Sequence, residues 1–228
     1  ATGDSSGDTG TSGAEIVTPG GSTETTIIDP DETISGKPDS VLDVSNHIYS
    51  ETDTSGWTEW DGKTKMQSGV NYYISKDTKL RGNFGVPAGS RLLIKSGARL
   101  VVYTERSLNV RGILTIEPGA ELMTSGTLTV FESAGLENFG SFKASALVRI
   151  AGDFINRSTG SMIASTSVNV YKNGTLLNYG ELSLTTSADM IVTGDFQTSE
   201  TGRLLCHGSL SVTINGRTTQ AGYFSLTG

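Results

Sequence analysis

A pair of apolar residues flanking a single other residue recurs through the latter part of this chain at a nearly constant interval. It reads Leu108-Asn-Val110, Leu128-Thr-Val130, Val148-Arg-Ile150, Val168-Asn-Val170, Met190-Ile-Val192 and Leu210-Ser-Val212. Successive pairs start 20, 20, 20, 22 and 20 residues apart. An interval this regular marks a repeat architecture, in which each unit buries its apolar face only by stacking on its neighbours.

Two further columns keep the same interval. One follows a glycine: Gly97-x-x-Leu100, Gly119-x-x-Leu122, Gly140-x-Phe142, Gly160-x-Met162, Gly180-x-Leu182 and Gly202-x-Leu204. The other reads Leu92-x-Ile94, Leu114-x-Ile116, Leu136-x-Asn138, Phe154-x-Asn156, Leu176-x-Asn178 and Phe196-x-Thr198. Each unit thus holds three short stretches with inward residues at i and i+2. That is the strand period, one face in and one face out. Glycines and Ser/Thr/Asn clusters between the stretches supply turns. No window sustains a 3.6-residue apolar period, so helix is not expected. The pattern predicts an all-β chain: a single-stranded, right-handed parallel β-helix, or solenoid, of about six to seven coils of roughly 20 residues. Coils should sit about 4.8 Å apart.

The Asn138, Asn156, Asn178 column, continued by Thr198, is an internal check. Stacked asparagines can hydrogen-bond the residue above and below as a ladder, which explains them without a ligand. Cys206 falls in an inward column with Val102, Ala144, Ala164 and Leu184, so it reads as a small buried hydrophobe rather than a reactive thiol. A lone cysteine excludes an internal disulfide.

Three segments follow from composition. Residues 1–46 are a Gly/Ser/Thr/Asp-rich acidic linker or arm. Residues 47–83 form a cap region with Trp57, Trp60, Tyr72 and Tyr73, since the open first coil of a β-helix needs cover. Residues 84–228 form the solenoid. Charge is partitioned: residues 1–65 carry 13 acidic against 3 basic side chains, and residues 66–228 carry 11 against 14. The basic residues concentrate between Lys76 and Arg111. An acidic arm beside a basic section invites contact, and part of residues 23–46 is expected to lie along the solenoid with Ile27, Ile28, Val41 and Leu42 as anchors. The sequence pI of 4.8 argues against nucleic acid as a partner. No run of eighteen apolar residues spans a membrane. Any export leader or lipid anchor is expected outside this sequence.

Catalytic signatures are absent. No HExxH, GxSxG or Walker-type loop occurs, and His207 falls in an outward column with Ser125, Ser145, Ser165 and Thr185. Asp153 and Asp195 share one corner but are two coils apart, about 10 Å, loose for paired carboxylates. A calcium site at Asp29, Asp31 and Glu32 lacks the nonapeptide motif that such sites use. Neither metal nor cofactor is therefore expected. The candidate binding residues are outward aromatics recurring at forty residues: Phe131 and Tyr171 after the Leu-x-Val strand, and Phe139 and Tyr179 after the asparagine column. On alternate coils each pair would stand about 10 Å apart, near the length of two sugar units. Exposed rings on a rigid face serve recognition; the alternative is that they pack over the corners and shield the ladder.

Gly174-Thr-Leu-Leu-Asn-Tyr-Gly-Glu-Leu182 and Gly152-Asp-Phe-Ile-Asn-Arg-Ser-Thr-Gly160 resemble the repeats of bacterial extracellular β-helix adhesins of the filamentous-haemagglutinin and autotransporter-passenger type. The resemblance covers roughly residues 84–226. It lacks the Asn-Pro motifs of the two-partner-secretion domain, and the acidic Ser/Thr arm looks more like the stalk of a lipoprotein or wall-attached protein. The resemblance implies an extracellular, surface-displayed or secreted, non-enzymatic module that binds a glycan or surface protein or serves a structural role. Self-association end to end or through the arm is a further expectation. The competing reading is a polysaccharide-active enzyme similar in fold to pectate lyases. Nearly uniform coils, with insertions of at most two residues, are expected to leave no walls for a cleft.

Overall fold

A computed structural model describes residues 42–45, 47–213 and 216–226, all within the unit spanning 34–228. Among these residues there are twenty-four strands of two to four residues and no helix. From Tyr72 onward the strands rotate through three sheets in fixed order. Tyr72–Ile74 enters the first sheet, Thr78–Leu80 the second and Phe84–Val86 the third; Arg91–Ile94 returns to the first. The first sheet has nine strands, the second eight and the third seven. Pairing is parallel throughout, each strand lying between the strands one turn before and one turn after it. The result is a parallel β-solenoid of about eight turns, roughly 20 residues each.

That exceeds the six to seven coils expected, because the turn before residue 84 already belongs to the stack. Tyr72–Ile74 pairs in register with Leu92–Ile94, and Thr78–Leu80 with Leu100–Val102. Tyr72 and Thr78 stand where later turns carry leucine, which hid this turn from the repeat pattern.

The strands form because alternate side chains can be buried on one side only. In the first sheet Leu92, Leu114, Leu136, Phe154, Leu176 and Phe196 stack in one inward column, each fully buried. The equivalent columns of the other sheets fill the same core, and Phe142 and Phe154 meet across it at 5.8 Å between ring centres. The asparagine ladder is present. Asn138 Nδ2 donates to Asn156 Oδ1 and Asn156 Nδ2 to Asn178 Oδ1, both at 2.8 Å. Each amide also donates to a carbonyl of the second-sheet strand one turn on, Ser161, Glu181 and Arg203 in turn. Three buried amides are thereby satisfied without water.

The corner between the third and first sheets alternates in length. Four residues make it at 87–90, 131–134 and 171–174, and two at 111–112, 151–152 and 193–194. A two-residue corner runs tight against the long corner one turn before. A Cβ on Gly112 would lie 2.1 Å from the Ser90 carbonyl oxygen and 2.4 Å from that of Pro87, so no side chain fits there. Long corners with outward aromatics therefore recur on every second turn, which is the physical origin of the forty-residue interval between Phe131 and Tyr171.

The two ends of the stack differ. At the first turn Thr58–Glu59 adds a strand outside Tyr72–Ile74. Trp60 is buried, donates its indole N–H to the Thr64 carbonyl at 2.7 Å and packs edge-on against Phe84. Trp57 remains partly exposed. At the far end the inward residues Val212, Phe224 and Leu226 are 46%, 40% and 63% exposed. Their column neighbours Val192, Leu204 and Cys206 are buried.

Candidate functional site

Two features stand out on the outer surface: a strap over the first sheet and a notched edge at the third-to-first corner. The outer face of the first sheet is unusually apolar, with Leu93, Ile155 and Leu177 all buried. Residues 42–45 and 47–54 run over part of it. Leu42 packs against Ile155, Leu177 and Tyr179, with Val44 and Ile113 beside them. Gly135 permits this contact, since a Cβ there would lie 2.7 Å from the Leu42 Cγ. Of the expected arm anchors, Leu42 thus lies on the solenoid, while Ile27, Ile28 and Val41 fall outside the described residues.

The strap is fastened by Arg157, the largest fully buried side chain among the described residues. Its Nε donates to Glu137 Oε1 at 2.8 Å, and its terminal nitrogens donate to the same carboxylate and to the backbone carbonyls of Asp43 and Ser45. Tyr179 donates its hydroxyl to the Val44 carbonyl, and Tyr49 donates to Glu117, which also accepts from the Ser96 amide. Lys95 reaches Thr54 at 3.4 Å. Burial pushes the phenols of Tyr179 and Tyr49 above their ordinary range, and for Tyr49 the Glu117 carboxylate adds to the effect. Hydrogen bonds from the Ser45 hydroxyl and amide hold Asp43 below the usual carboxylate range.

This arrangement divides the four candidate aromatics. Phe139, Arg157 and Tyr179 stand on successive turns in the column that follows the asparagines. Phe139 is enclosed by His47, by Tyr49 edge-on at 5.0 Å and by the Arg157 guanidinium at 5.7 Å. Both Phe139 and Tyr179 are buried rather than offered to solvent as a strip. Of the two expectations for this pair, exposure for recognition and packing over the corner, the first does not hold: the strap covers them. Phe131 and Tyr171 do lie on the open edge, on successive long corners separated by the short Ala151–Gly152 corner. Tyr171 is 42% exposed. Phe131 packs one side on the core, and Arg111 lays its guanidinium over the ring, 4.0 Å from the centre.

The alternating corners give this edge relief that uniform coils would lack. Over the short Arg111–Gly112 corner lies an open notch of about 830 Å³, walled by Ala88–Ser90 on one side and Phe131–Ser133 on the other, with Arg91 on its rim. The next short corner, Ala151–Gly152, is spanned by a hydrogen bond from Asn173 Nδ2 to Glu132 Oε1 at 3.0 Å. The walls come from two-residue differences in corner length. The expectation of no walls misjudged them: on a smooth stack, two extra residues on every second turn suffice to bound a notch.

Titratable groups elsewhere are separated or paired. Asp153 and Asp195 have Thr175 between them in the first sheet, and Asp195 pairs with Arg217 at 2.7 Å. Burial raises the Cys206 thiol above its ordinary range, as expected of an inward hydrophobe. Among the described residues no group of three or more His, Cys, Asp or Glu side chains could hold a metal ion. The positions Asp29, Asp31 and Glu32 lie outside them. No helix among the described residues is long and apolar enough to cross a membrane.

Arg157 and Arg111 carry most of this geometry and were not singled out from the sequence. A signal existed for each. Arg157 stands between the aromatic residues Phe139 and Tyr179 of neighbouring turns, and the corner lengths follow from the spacing Val110 to Leu114 against Val130 to Leu136. Compared with family models, with curated proteins and with solved structures, the chain matches none.

Proposed function

We propose that this protein is a non-enzymatic, surface-displayed or secreted β-solenoid, an adhesin-like module that recognises a glycan or a surface protein along its third-to-first corner. One observation carries the reading. A rigid stack places Phe131, under the Arg111 guanidinium, and the exposed Tyr171 on successive long corners, the first bordering an open notch, while the comparable aromatics of the adjacent corner are shut beneath the strap. Rigid elements that hold exposed aromatic and cationic groups lose little conformational entropy on binding. Surface display agrees with the acidic Ser/Thr-rich arm and with the resemblance to extracellular adhesin repeats. The strap and the open apolar end add two routes to self-association, through the arm and end to end.

A polysaccharide-active enzyme is the second reading, favoured by the walls of the notch. Against it, among the described residues the notch is lined by a single carboxylate, Glu132, whereas hydrolysis of a glycosidic bond commonly uses two. The test is a glycan-array screen of the whole chain with Phe131→Ala and Tyr171→Ala variants. Retained fold with lost binding supports a recognition edge. Release of unsaturated or reducing oligosaccharides from any polysaccharide overturns the non-enzymatic reading.

A further inference from the structure

We infer that the notch over Arg111–Gly112 is an anion-recognition site for a carboxylated saccharide, with Arg111 and Arg91 as the ligand-binding cations. This deepens the corner reading and rests on it. The volume of about 830 Å³ lies in the range of small-ligand sites, about 300–1,000 Å³.

Arg111 is prepared for such a ligand. Its guanidinium carbon sits over the Phe131 ring, 4.0 Å from the centre, a cation–π contact that restrains the side chain while its N–H groups remain available as donors. The same contact occupies the exposed face of the Phe131 ring, so the corner offers a ligand a cation rather than a stacking platform for a neutral sugar. Among the described residues neither Arg111 nor Arg91 makes an ion pair or a side-chain hydrogen bond. Arg99, Arg157, Arg203 and Arg217 each pair with a carboxylate. Glu132, the one acid among the described residues that line the notch, is engaged by Asn173 on the next long corner. Two guanidinium groups that no described carboxylate pairs with, on a walled surface, are suited to a planar carboxylate, which accepts two parallel N–H bonds.

A saccharide fits better than an acidic peptide for a reason of backbone accounting. Peptide recognition at an edge draws on free main-chain groups. Here the Arg111 and Gly112 amides both donate to the Val86 carbonyl, and the Ile113 amide to that of Ser90. The floor of the notch therefore offers no free run of main-chain amides, and its donors are side chains. Long corners two turns apart leave about 10 Å along the axis, room for about two sugar units.

The test titrates the full chain, at low ionic strength, with a uronic-acid oligosaccharide, its neutral methyl ester, a sulfated oligosaccharide and a poly-glutamate peptide. Variants are Arg111→Ala, Arg91→Ala and Arg111→Lys. The expected result is binding of the carboxylated sugar, weaker by about tenfold or more in each alanine variant, with an unchanged melting transition. Arg111→Lys restores only part of the affinity, because a lysine keeps the charge and loses the fork. Equal binding of the neutral ester, unaffected by Arg111→Ala, overturns the anion site and leaves the corner reading standing. Preference for the sulfated sugar or the peptide overturns the choice of carboxylated saccharide. Failure of every saccharide here, together with an empty glycan array, removes both readings.

Discussion

Replacing Arg157 with methionine keeps an unbranched stem and removes the charged head with its donors, which tests what the strap owes to one guanidinium. The group is fully buried. It gives two hydrogen bonds to Glu137 and one each to the carbonyls of Asp43 and Ser45. Removing one partner of a buried ion pair costs about 3–5 kcal/mol, mainly because the other charge stays behind. Glu137 keeps 15% exposure and has His47 at 3.6 Å, which places the loss near the low end, about 3 kcal/mol. The loss should be local. Stacking in a solenoid is held by contacts between neighbouring turns, and the strap lies outside that ladder. Hydrogen–deuterium exchange then reads the effect directly. Amides in residues 42–54 should exchange up to about a hundredfold faster in Arg157→Met, while strands such as Val168–Val170 keep their protection. Adding Glu137→Gln should recover part of the loss, because the stranded charge is gone. Unchanged exchange across 42–54, or uniform loss of protection over the whole stack, refutes the assignment of Arg157 as the strap's fastening.

Three further outcomes follow from the same geometry. Val192→Asn buries an amide and removes a fully buried valine, at a cost of about 3–5 kcal/mol, whereas Ile191→Asn, one residue away on the outer face, stays within about 0.5 kcal/mol; equal urea midpoints would show the inside–outside assignment to be wrong. The phenols of Tyr49 and Tyr179 have folded pKa values raised above the ordinary 10.0, so the unfolded chain ionises first as pH rises; their contribution is complete below about pH 10 and is lost above it. Protease sensitivity of the strap should therefore rise above that pH, and a Tyr49→Phe/Tyr179→Phe protein should lack this alkaline step. Exposure of Val212, Phe224 and Leu226 at one end predicts concentration-dependent association in sedimentation velocity, abolished by Phe224→Ser with Leu226→Ser; a monomer at high concentration excludes it.

The solenoid was legible in the sequence because stacking copies each inward position onto the next turn, so Leu136, Phe154 and Leu176 write one structural fact three times. The ladder was legible for the same reason. What the repeat concealed is whatever happens once. Arg157 looks like a polar residue at a turn, yet it is buried, because its partners are carbonyls of a segment more than a hundred residues upstream. Contacts from outside the repeat leave no periodic trace, so Phe139 and Tyr179 read as exposed. Corner length was visible as a two-residue difference in spacing. Its consequence was not, since a notch depends on how Gly112 tucks beneath Pro87 and Ser90, and that is set by three-dimensional stacking.

Recognition without chemistry is the property proposed for the notched corner. It is tested most directly by incubating the whole chain with a carboxylated polysaccharide and measuring, in the same sample, the mass bound and the polymer's length. The prediction is saturable binding that Arg111→Ala weakens, with the length distribution unchanged after prolonged incubation. Shortened chains, or new unsaturated or reducing ends that appear with wild-type protein and vanish with Arg111→Ala, would contradict it.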